Sequence, residues 1–122
     1  MESKVLLWLD DQRDPFEEKK WLIFSPIPLE ELAEIVWVKN YNEFRNHIEE
    51  YGVPDGVCFD HDLGDENNTQ ELTGYDCAKF LCAYCEKHGV PLPVWNCQSV
   101  NPIGKENINT LLKSFLKYYN EF

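Results

Sequence analysis

The sequence predicts an α/β domain in three layers, in which a parallel sheet carries helices on both faces. Three observations support this prediction. Four short runs of consecutive apolar residues are typical of strands that are buried on both faces. Segments with apolar residues at helical spacing stand between these runs and after the last one. Strands that alternate with helices need crossover connections, and these connections give parallel pairing.

The chain has 122 residues, a length that suits one domain, so we predict a single domain over residues 1–122. We expect about four strands in the sheet order 2-1-3-4. The predicted strands are Val5–Leu9, Ile35–Val38, Gly56–Phe59 and Pro93–Cys97. A fifth strand is not expected, because the last amphipathic stripe runs to the end of the chain.

Each predicted helix has a recognisable beginning or end. Asn40 is the N-cap of the first helix, which Gly52 ends. The second helix ends at Gly89. Asn101 caps the third helix, and the proline after it occupies the first helical position.

Acidic side chains outnumber basic ones by two to one. The sequence holds 22 Asp and Glu residues against 11 Lys and Arg residues, which gives a formal net charge of −11. Binding to long nucleic acids or to anionic membranes needs clustered positive charge, so we expect neither. A ligand that carries phosphate would therefore need a cation to accompany it.

The five cysteines indicate a reducing compartment. They are odd in number, and each lies in an apolar stretch, which is unlike a disulfide framework. The apolar run Val5–Leu9 is too short for the core of a secretory signal, and no segment has the length of a membrane span. We expect a cytoplasmic protein.

Polar side chains follow three of the four predicted strands, at the point where each strand ends. Ligands of open parallel sheets bind outside the carboxyl ends of the strands. The order 2-1-3-4 makes the ends of strands one, three and four neighbours, so we expect their polar residues to share one crevice. These residues are Asp10 and Asp11, then Asp60, His61 and Asp62, and finally Gln98, Ser99 and Asn101.

Four of these residues are carboxylates, namely Asp10, Asp11, Asp60 and Asp62. Carboxylates that are held close together repel one another unless a cation offsets their charge. Oxygen ligands beside phosphate favour Mg²⁺, or Mn²⁺, which keeps several waters. We therefore predict that these four residues form a metal site, whose ion supplies the charge that a phosphate needs.

Three further residues are candidates for binding the phosphate. Asn101 opens the last helix, where backbone N–H groups attract anions, and Lys105 is the nearest cation to that end. Arg13 either clamps a phosphate or pairs with an acidic neighbour at the surface. Ser99 and Asn101 are also ordinary helix-capping residues, and this role is compatible with ligand binding.

Four sequence blocks occur in order along nearly the whole chain. They read LDDQRDP over residues 9–15, DHDLG over 60–64, TGYD over 73–76 and SVNPIGKEN over 99–107. These blocks resemble those of the cyclic-phosphate processing receiver family, a divergent branch of response-regulator receivers. The second and fourth blocks together are the specific signal.

The resemblance implies a receiver-like, that is flavodoxin-like, fold. It also implies that Asp10 and Asp11 bind Mg²⁺, that Asp60 occupies the position of the receiver phosphoacceptor, and that Ser99 is the hydroxyl residue after strand four. The family usually has histidine where this chain has Gln98. If that histidine is a proton donor, the resemblance implies that His61 replaces it or that activity is lost.

We therefore expect Mg²⁺-dependent hydrolysis of a small cyclic phosphate, with Asp60, His61 and Ser99 as catalytic residues. The expected ligand is a phosphorylated metabolite such as an ADP-ribose cyclic phosphate, or a nucleoside 2′,3′-cyclic phosphate derived from an RNA end. Two alternatives stay open: a signalling receiver phosphorylated on Asp60, and a protein that binds a cyclic nucleotide without cleaving it.

Overall fold

Within residues 4–64 and 72–120, which the computed structural model describes, four strands and three α-helices alternate after the first strand. The strands are β1 (Lys4–Leu9), β2 (Leu32–Val38), β3 (Gly56–Phe59) and β4 (Val94–Cys97). The α-helices are α1 (Tyr41–Tyr51), α2 (Gly74–His88) and α3 (Pro102–Asn120). The strands form one sheet in the order β2-β1-β3-β4, and every neighbouring pair is parallel. The predicted strand order is therefore confirmed.

Two strand boundaries differ from the predicted ones. β2 begins at Leu32 rather than Ile35, because its backbone already pairs with Lys4 there. The apolar pattern misses this part of the strand, since Ala33 and Glu34 are exposed. β4 begins at Val94 rather than at the preceding proline, which has no N–H to donate to a neighbouring strand.

The helix ends agree with the predicted capping residues. Asn40 Oδ1 accepts a hydrogen bond of 2.9 Å from the backbone N–H of Glu43. Gly52 and Gly89, which end α1 and α2, have φ angles of 86° and 65°. These angles are easily adopted only by glycine.

All three α-helices pack on one face of the sheet. Phe44 of α1, Leu81 of α2 and Ile108 of α3 are buried in the same cluster as Leu7 and Phe59 of the strands. The apolar stripes read from the sequence are therefore the core-facing sides of the helices. This face holds the larger of the two apolar clusters.

The opposite face of the sheet is covered by the irregular chain between β1 and β2. Two 3₁₀ segments, Lys19–Phe24 and Leu29–Glu31, lie in this connection. Trp21 and Phe24 pack against a cluster that contains Trp8 and Ile27. Helical segments thus cover both faces as predicted, but one face carries α-helices and the other carries mainly 3₁₀ turns.

The five cysteines are free and buried, as the sequence analysis predicted for a chain without a disulfide framework. Burial raises the pKa of the Cys82 thiol to about 12 and that of Cys85 to about 11. These thiols are therefore poor nucleophiles and act as core side chains. None of the helices in the described residues is both long and apolar enough to cross a bilayer.

Gly74 begins α2 directly against the chain that leaves β3, and its N–H donates to His61 O (2.8 Å). A Cβ at this position would overlap the carbonyl oxygen of Asp60. We expect Gly74→Ala to lower the free energy of unfolding, measured in urea, by about 3 kcal/mol or more. Gly89→Ala is the control, because an added Cβ there meets no atom within 4 Å, so that variant should lose only about 1–2 kcal/mol, the cost of a positive φ. Equal losses in the two variants would contradict the close-contact explanation.

Candidate functional site

Three carboxylates converge at the carboxyl edge of the sheet. One oxygen from each of Asp10, Asp11 and Asp60 lies within 4.8 Å of the others. Asp10 directly follows β1 and Asp60 directly follows β3, and these strands are neighbours in the sheet. Asp10 is fully buried, and Asp60 is 6% exposed. We call these three residues the carboxylate cluster.

Every side-chain oxygen of Asp10 has a partner. Oδ1 accepts hydrogen bonds of 2.9 Å from the backbone N–H groups of Gln12 and Arg13. Oδ2 accepts a hydrogen bond of 3.0 Å from Arg13 Nη1, which also forms an ion pair with it. A buried carboxylate needs this degree of compensation, because losing water costs it several kcal/mol.

Arg13 is itself held in place by the connection that covers the second face of the sheet. Its guanidinium carbon lies 5.2 Å from the centroid of the Trp21 ring, and its backbone oxygen accepts from Trp8 Nε1 (2.9 Å). Of the two roles predicted for Arg13, pairing with an acidic neighbour is the one observed. The predicted phosphate clamp stays a prediction.

The main chain around the cluster is anchored from both sides. Trp37 Nε1 donates to Asp10 O (2.7 Å), and the Asp10 N–H donates to Val38 O (3.0 Å). Asp11 Oδ2 accepts from the backbone N–H of Gly64 (3.0 Å), which joins the loop after β1 to the loop after β3. These contacts fix the first two carboxylates relative to the third.

The carboxylate cluster carries more negative charge than Arg13 offsets. The pKa of Asp60 is raised to about 7, chiefly by burial and then by the charges of Asp10 and Asp11. Closely spaced oxygen ligands with uncompensated charge suit a hard divalent cation such as Mg²⁺ or Mn²⁺. The donor set therefore fits the metal that the sequence analysis predicted.

His61, Asp62 and Asn101 form a second group beside the first. His61 Nδ1 lies 2.8 Å from Asp62 Oδ1, and Asn101 Nδ2 lies 3.3 Å from the same oxygen. The hydrogen bond from His61 lowers the pKa of Asp62. Asp62 is exposed and is not one of the three converging carboxylates. The structure thus pairs Asp62 with His61, and a role as the fourth metal ligand gains no support.

The carboxylate at Asp62 only accepts, so the hydrogen bond places the proton of a neutral His61 on Nδ1. Nε2 is then the free nitrogen, and it has no hydrogen-bond partner within the described residues. The ring lies against the first turn of α3, where a Cβ on Gly104 would overlap it. The glycine of the fourth sequence block therefore makes room for the histidine of the second.

Ser99 and Asn101 shape the turn that enters α3. Ser99 Oγ accepts from the Asn101 N–H (3.1 Å), and Asn101 Oδ1 accepts from the Gly104 N–H (3.0 Å). The capping role predicted for Asn101 is therefore present, together with its contacts to the histidine–aspartate pair. Lys105 is exposed on α3 and forms no ion pair among the residues described. Its predicted role in ligand binding stays a prediction.

Gln98 is a site residue whose role sequence reasoning missed. It is 4% exposed, and its Nε2 donates to the backbone oxygen of Leu9 (3.0 Å). From the sequence, Gln98 is expected only as one polar residue of the crevice, at the position where the family resemblance implies histidine. No signal in a single sequence distinguishes a glutamine that bonds across the sheet from one that faces solvent.

Arg13→Met should destabilise the fold strongly, because it leaves the Asp10 carboxylate buried without its cation. We expect the free energy of unfolding to fall by about 3 kcal/mol or more, measured by urea denaturation. Arg45→Met is the matched control, since it breaks an exposed ion pair of 2.8 Å with Glu49 and should change little. A small effect of Arg13→Met would contradict the compensating role.

Asp60→Asn should stabilise the metal-free chain in a pH-dependent way. The pKa of Asp60 rises from 3.8 to about 7 on folding, so the folded state binds this proton more tightly than the unfolded state. The stability from this proton is present near pH 4 and is lost as the pH rises through 7. In EDTA, the gain in Tm from Asp60→Asn should therefore be small at pH 5 and larger at pH 8.

Asp62→Asn is the control for this titration. The pKa of Asp62 is lowered, so its ionised form favours the folded state and its replacement should not raise Tm at pH 8. A gain from Asp60→Asn that does not vary with pH would contradict the charge repulsion described for the cluster.

Comparisons with known proteins identify the family and support the fold. A family model described as the "Cyclic-phosphate processing Receiver domain" matches residues 5–114. A solved structure described as yeast Spc42 trimeric coiled-coil amino acids 181–211 fused to another structure is 16% identical, with a TM-score of 0.53. The alignment covers 98% of this chain and 80% of that one, and at this identity it shows the fold alone. No curated protein matches the chain. The extent of the family match shows that the chain belongs to the cyclic-phosphate processing receiver domain family.

Proposed function

We propose that the protein hydrolyses a small cyclic phosphate with the help of Mg²⁺ or Mn²⁺. The observation that carries this proposal is the convergence of Asp10, Asp11 and Asp60 within 4.8 Å at the ligand-binding edge of the sheet. The family to which the chain belongs is named for the processing of cyclic phosphates. The substrate class we favour is a nucleoside 2′,3′-cyclic phosphate or an ADP-ribose cyclic phosphate.

The carboxylate cluster is the part of the chain that would hold the metal. A bound divalent ion supplies positive charge that polarises the phosphoryl group and offsets the charge of the substrate. Asp10 is the most rigid of the three, because both of its oxygens are already bonded to Arg13 or to backbone N–H groups. Asp60 lies in the middle of the edge, between the ends of β1 and β4.

His61 is the residue that we assign to proton transfer. Ring opening joins a water oxygen to phosphorus and breaks one P–O bond, whose electron pair stays on the leaving ribose oxygen. His61 accepts the proton of the water at Nε2 and then donates it to the leaving oxygen, which becomes a hydroxyl, so that the ring is neutral again at the end. Asp62 accepts from Nδ1 (2.8 Å), so it orients the ring and stabilises its charged form.

The start of α3 is the assigned binding place for the remaining phosphate oxygens. The Gly104 N–H donates to Asn101 Oδ1, and the Lys105 N–H donates to Asn101 O. Pro102 has no N–H. The N–H of Ile103 has no partner in the described part of the chain, so it is the donor of this turn that we assign to a phosphate oxygen. The Ser99 hydroxyl is close by in sequence and keeps its own proton to donate, since its oxygen acts as an acceptor.

The net charge of −11 supports a small ligand over a polymer. One phosphate group needs only the metal and a few N–H donors, whereas a long nucleic acid needs an extended basic surface. We propose a small metabolite or RNA-end-derived cyclic phosphate as the partner. Buried free thiols are typical of a reducing compartment, and we propose the cytoplasm.

A panel of cyclic phosphates tests the proposal. Conversion to a phosphomonoester, followed by ³¹P NMR, should require Mg²⁺ or Mn²⁺ and stop in EDTA. Asp60→Asn should abolish turnover, and His61→Gln should lower kcat by about 100-fold or more. His47→Gln is the control, because His47 lines a cavity with Val5 and Asp55 at the amino ends of β1 and β3, the edge opposite both groups of site residues. Absence of turnover across the panel would refute the proposal.

A second candidate function is a receiver phosphorylated on Asp60. It is favoured by the position of Asp60, which ends β3 beside two other carboxylates. Beryllofluoride with Mg²⁺ distinguishes the two functions, since a stable adduct at Asp60 without turnover of any cyclic phosphate favours the receiver. Tight binding of an unchanged cyclic nucleotide, measured by calorimetry, would instead indicate a protein that sequesters it.

A further inference from the structure

We propose that Gln98 is a positioning residue that ties together the ends of β1, β3 and β4, so that Asp10 and Asp60 share one site. The inference rests on the metal site of the proposed function.

Gln98 bonds to the residue before each of the two buried carboxylates. Its backbone N–H donates to the oxygen of Phe59 (3.0 Å), which precedes Asp60. Its side-chain Nε2 donates to the oxygen of Leu9 (3.0 Å), which precedes Asp10. One residue therefore contacts both strand ends from which the carboxylate cluster projects.

Backbone pairing joins β1 to β3 and β3 to β4, but it does not join β1 to β4. β4 is the neighbour of β3, and β1 lies on the far side of β3. Strands are spaced about 4.8 Å apart, so the ends of β1 and β4 are roughly 10 Å apart. A side chain from the end of β4 must therefore cross β3 to reach Leu9, and Gln98 makes this connection.

The chemistry of its amide excludes Gln98 as a proton donor. A carboxamide has no titratable proton, and Gln98 Nε2 is already bonded to Leu9 O. Its Oε1 is buried and has no hydrogen-bond partner within the described residues. The Gln98 amide thus uses Nε2 as a donor to Leu9 and presents Oε1 as an acceptor.

A neutral imidazole offers the same pair of functions, because one ring nitrogen donates and the other accepts. Histidine at this position is therefore able to make the bond to Leu9 while it presents an acceptor on the other nitrogen. We therefore expect a histidine in place of Gln98 to conserve the contact with Leu9.

Two substitutions of similar size test the tie. Gln98→Met removes the donor and the acceptor, whereas Gln98→His keeps both. Asn96→Leu is the matched control, because the Asn96 amide also leaves β4 and donates to a backbone oxygen, that of Phe24 (2.9 Å), which belongs to the cover of the sheet and not to a strand end that carries a carboxylate. The measurements are the Mg²⁺ Kd by calorimetry and, without metal, amide hydrogen exchange at Gln12 and Arg13, whose N–H groups bond to Asp10.

We expect Gln98→Met to raise the Mg²⁺ Kd by about 10-fold or more and to speed exchange at the two amides. Gln98→His should leave both close to the wild-type values, and Asn96→Leu should lower Tm without changing either. An unchanged Kd and unchanged exchange in Gln98→Met would overturn the inference, and so would equal effects of Asn96→Leu.

The two proposals fail in different ways. If the wild-type chain binds no Mg²⁺, the proposed function is refuted, while hydrogen exchange still decides whether Gln98 holds the strand ends. If Gln98→Met does not fold, Gln98→His decides the matter, since loss of amide protection at Gln12 and Arg13 in this variant would overturn the inference.

Discussion

The burial of one charged group, the carboxylate of Asp10, is the constraint on which much of the structure depends. This side chain ends a strand inside the sheet and is closed off from water. It is stable there because Arg13 and two backbone N–H groups satisfy its oxygens. The turn after β1 is therefore shaped around a charge rather than around an apolar contact.

The same constraint links the site to the cover of the sheet. Arg13 reaches Asp10 while its guanidinium lies over Trp21, and Trp21 belongs to the 3₁₀ segment that packs on the face without α-helices. The connection between β1 and β2 thus covers the apolar strands and also supplies Arg13, the side chain that pairs with the Asp10 carboxylate. Packing and electrostatics are coupled here, because one segment serves both.

Two groups of polar residues meet at the Asp60–His61 peptide. Asp60 belongs to the carboxylate cluster, and His61 belongs to the more exposed group with Asp62 and Asn101. Two glycines make the arrangement possible, since Gly74 allows α2 to begin against Asp60 and Gly104 allows α3 to begin against His61. The clustered carboxylates and the histidine–aspartate pair are therefore adjacent but lie in different environments.

The sequence by itself determined the strands, the helices and the edge at which the chemistry lies. Continuous apolar runs such as Gly56–Phe59 are readable because both faces of the strand are buried, and local caps such as Asn40 depend only on neighbouring residues. Polar residues directly after such runs must lie at the carboxyl edge, so Asp10 and Asp60 were predictable. These inferences need only short-range physics and the rules of parallel pairing.

Only the tertiary structure decided which of these polar side chains lie together. Asp62 was grouped with the other carboxylates, but a bend at His61 ends the alternation of an extended strand and sends Asp62 toward Asn101. The contact of Gln98 with Leu9 joins residues that are 89 positions apart. Where a side chain points and which distant residue it contacts depend on the positions of other strands and helices, and no local pattern in the sequence encodes these.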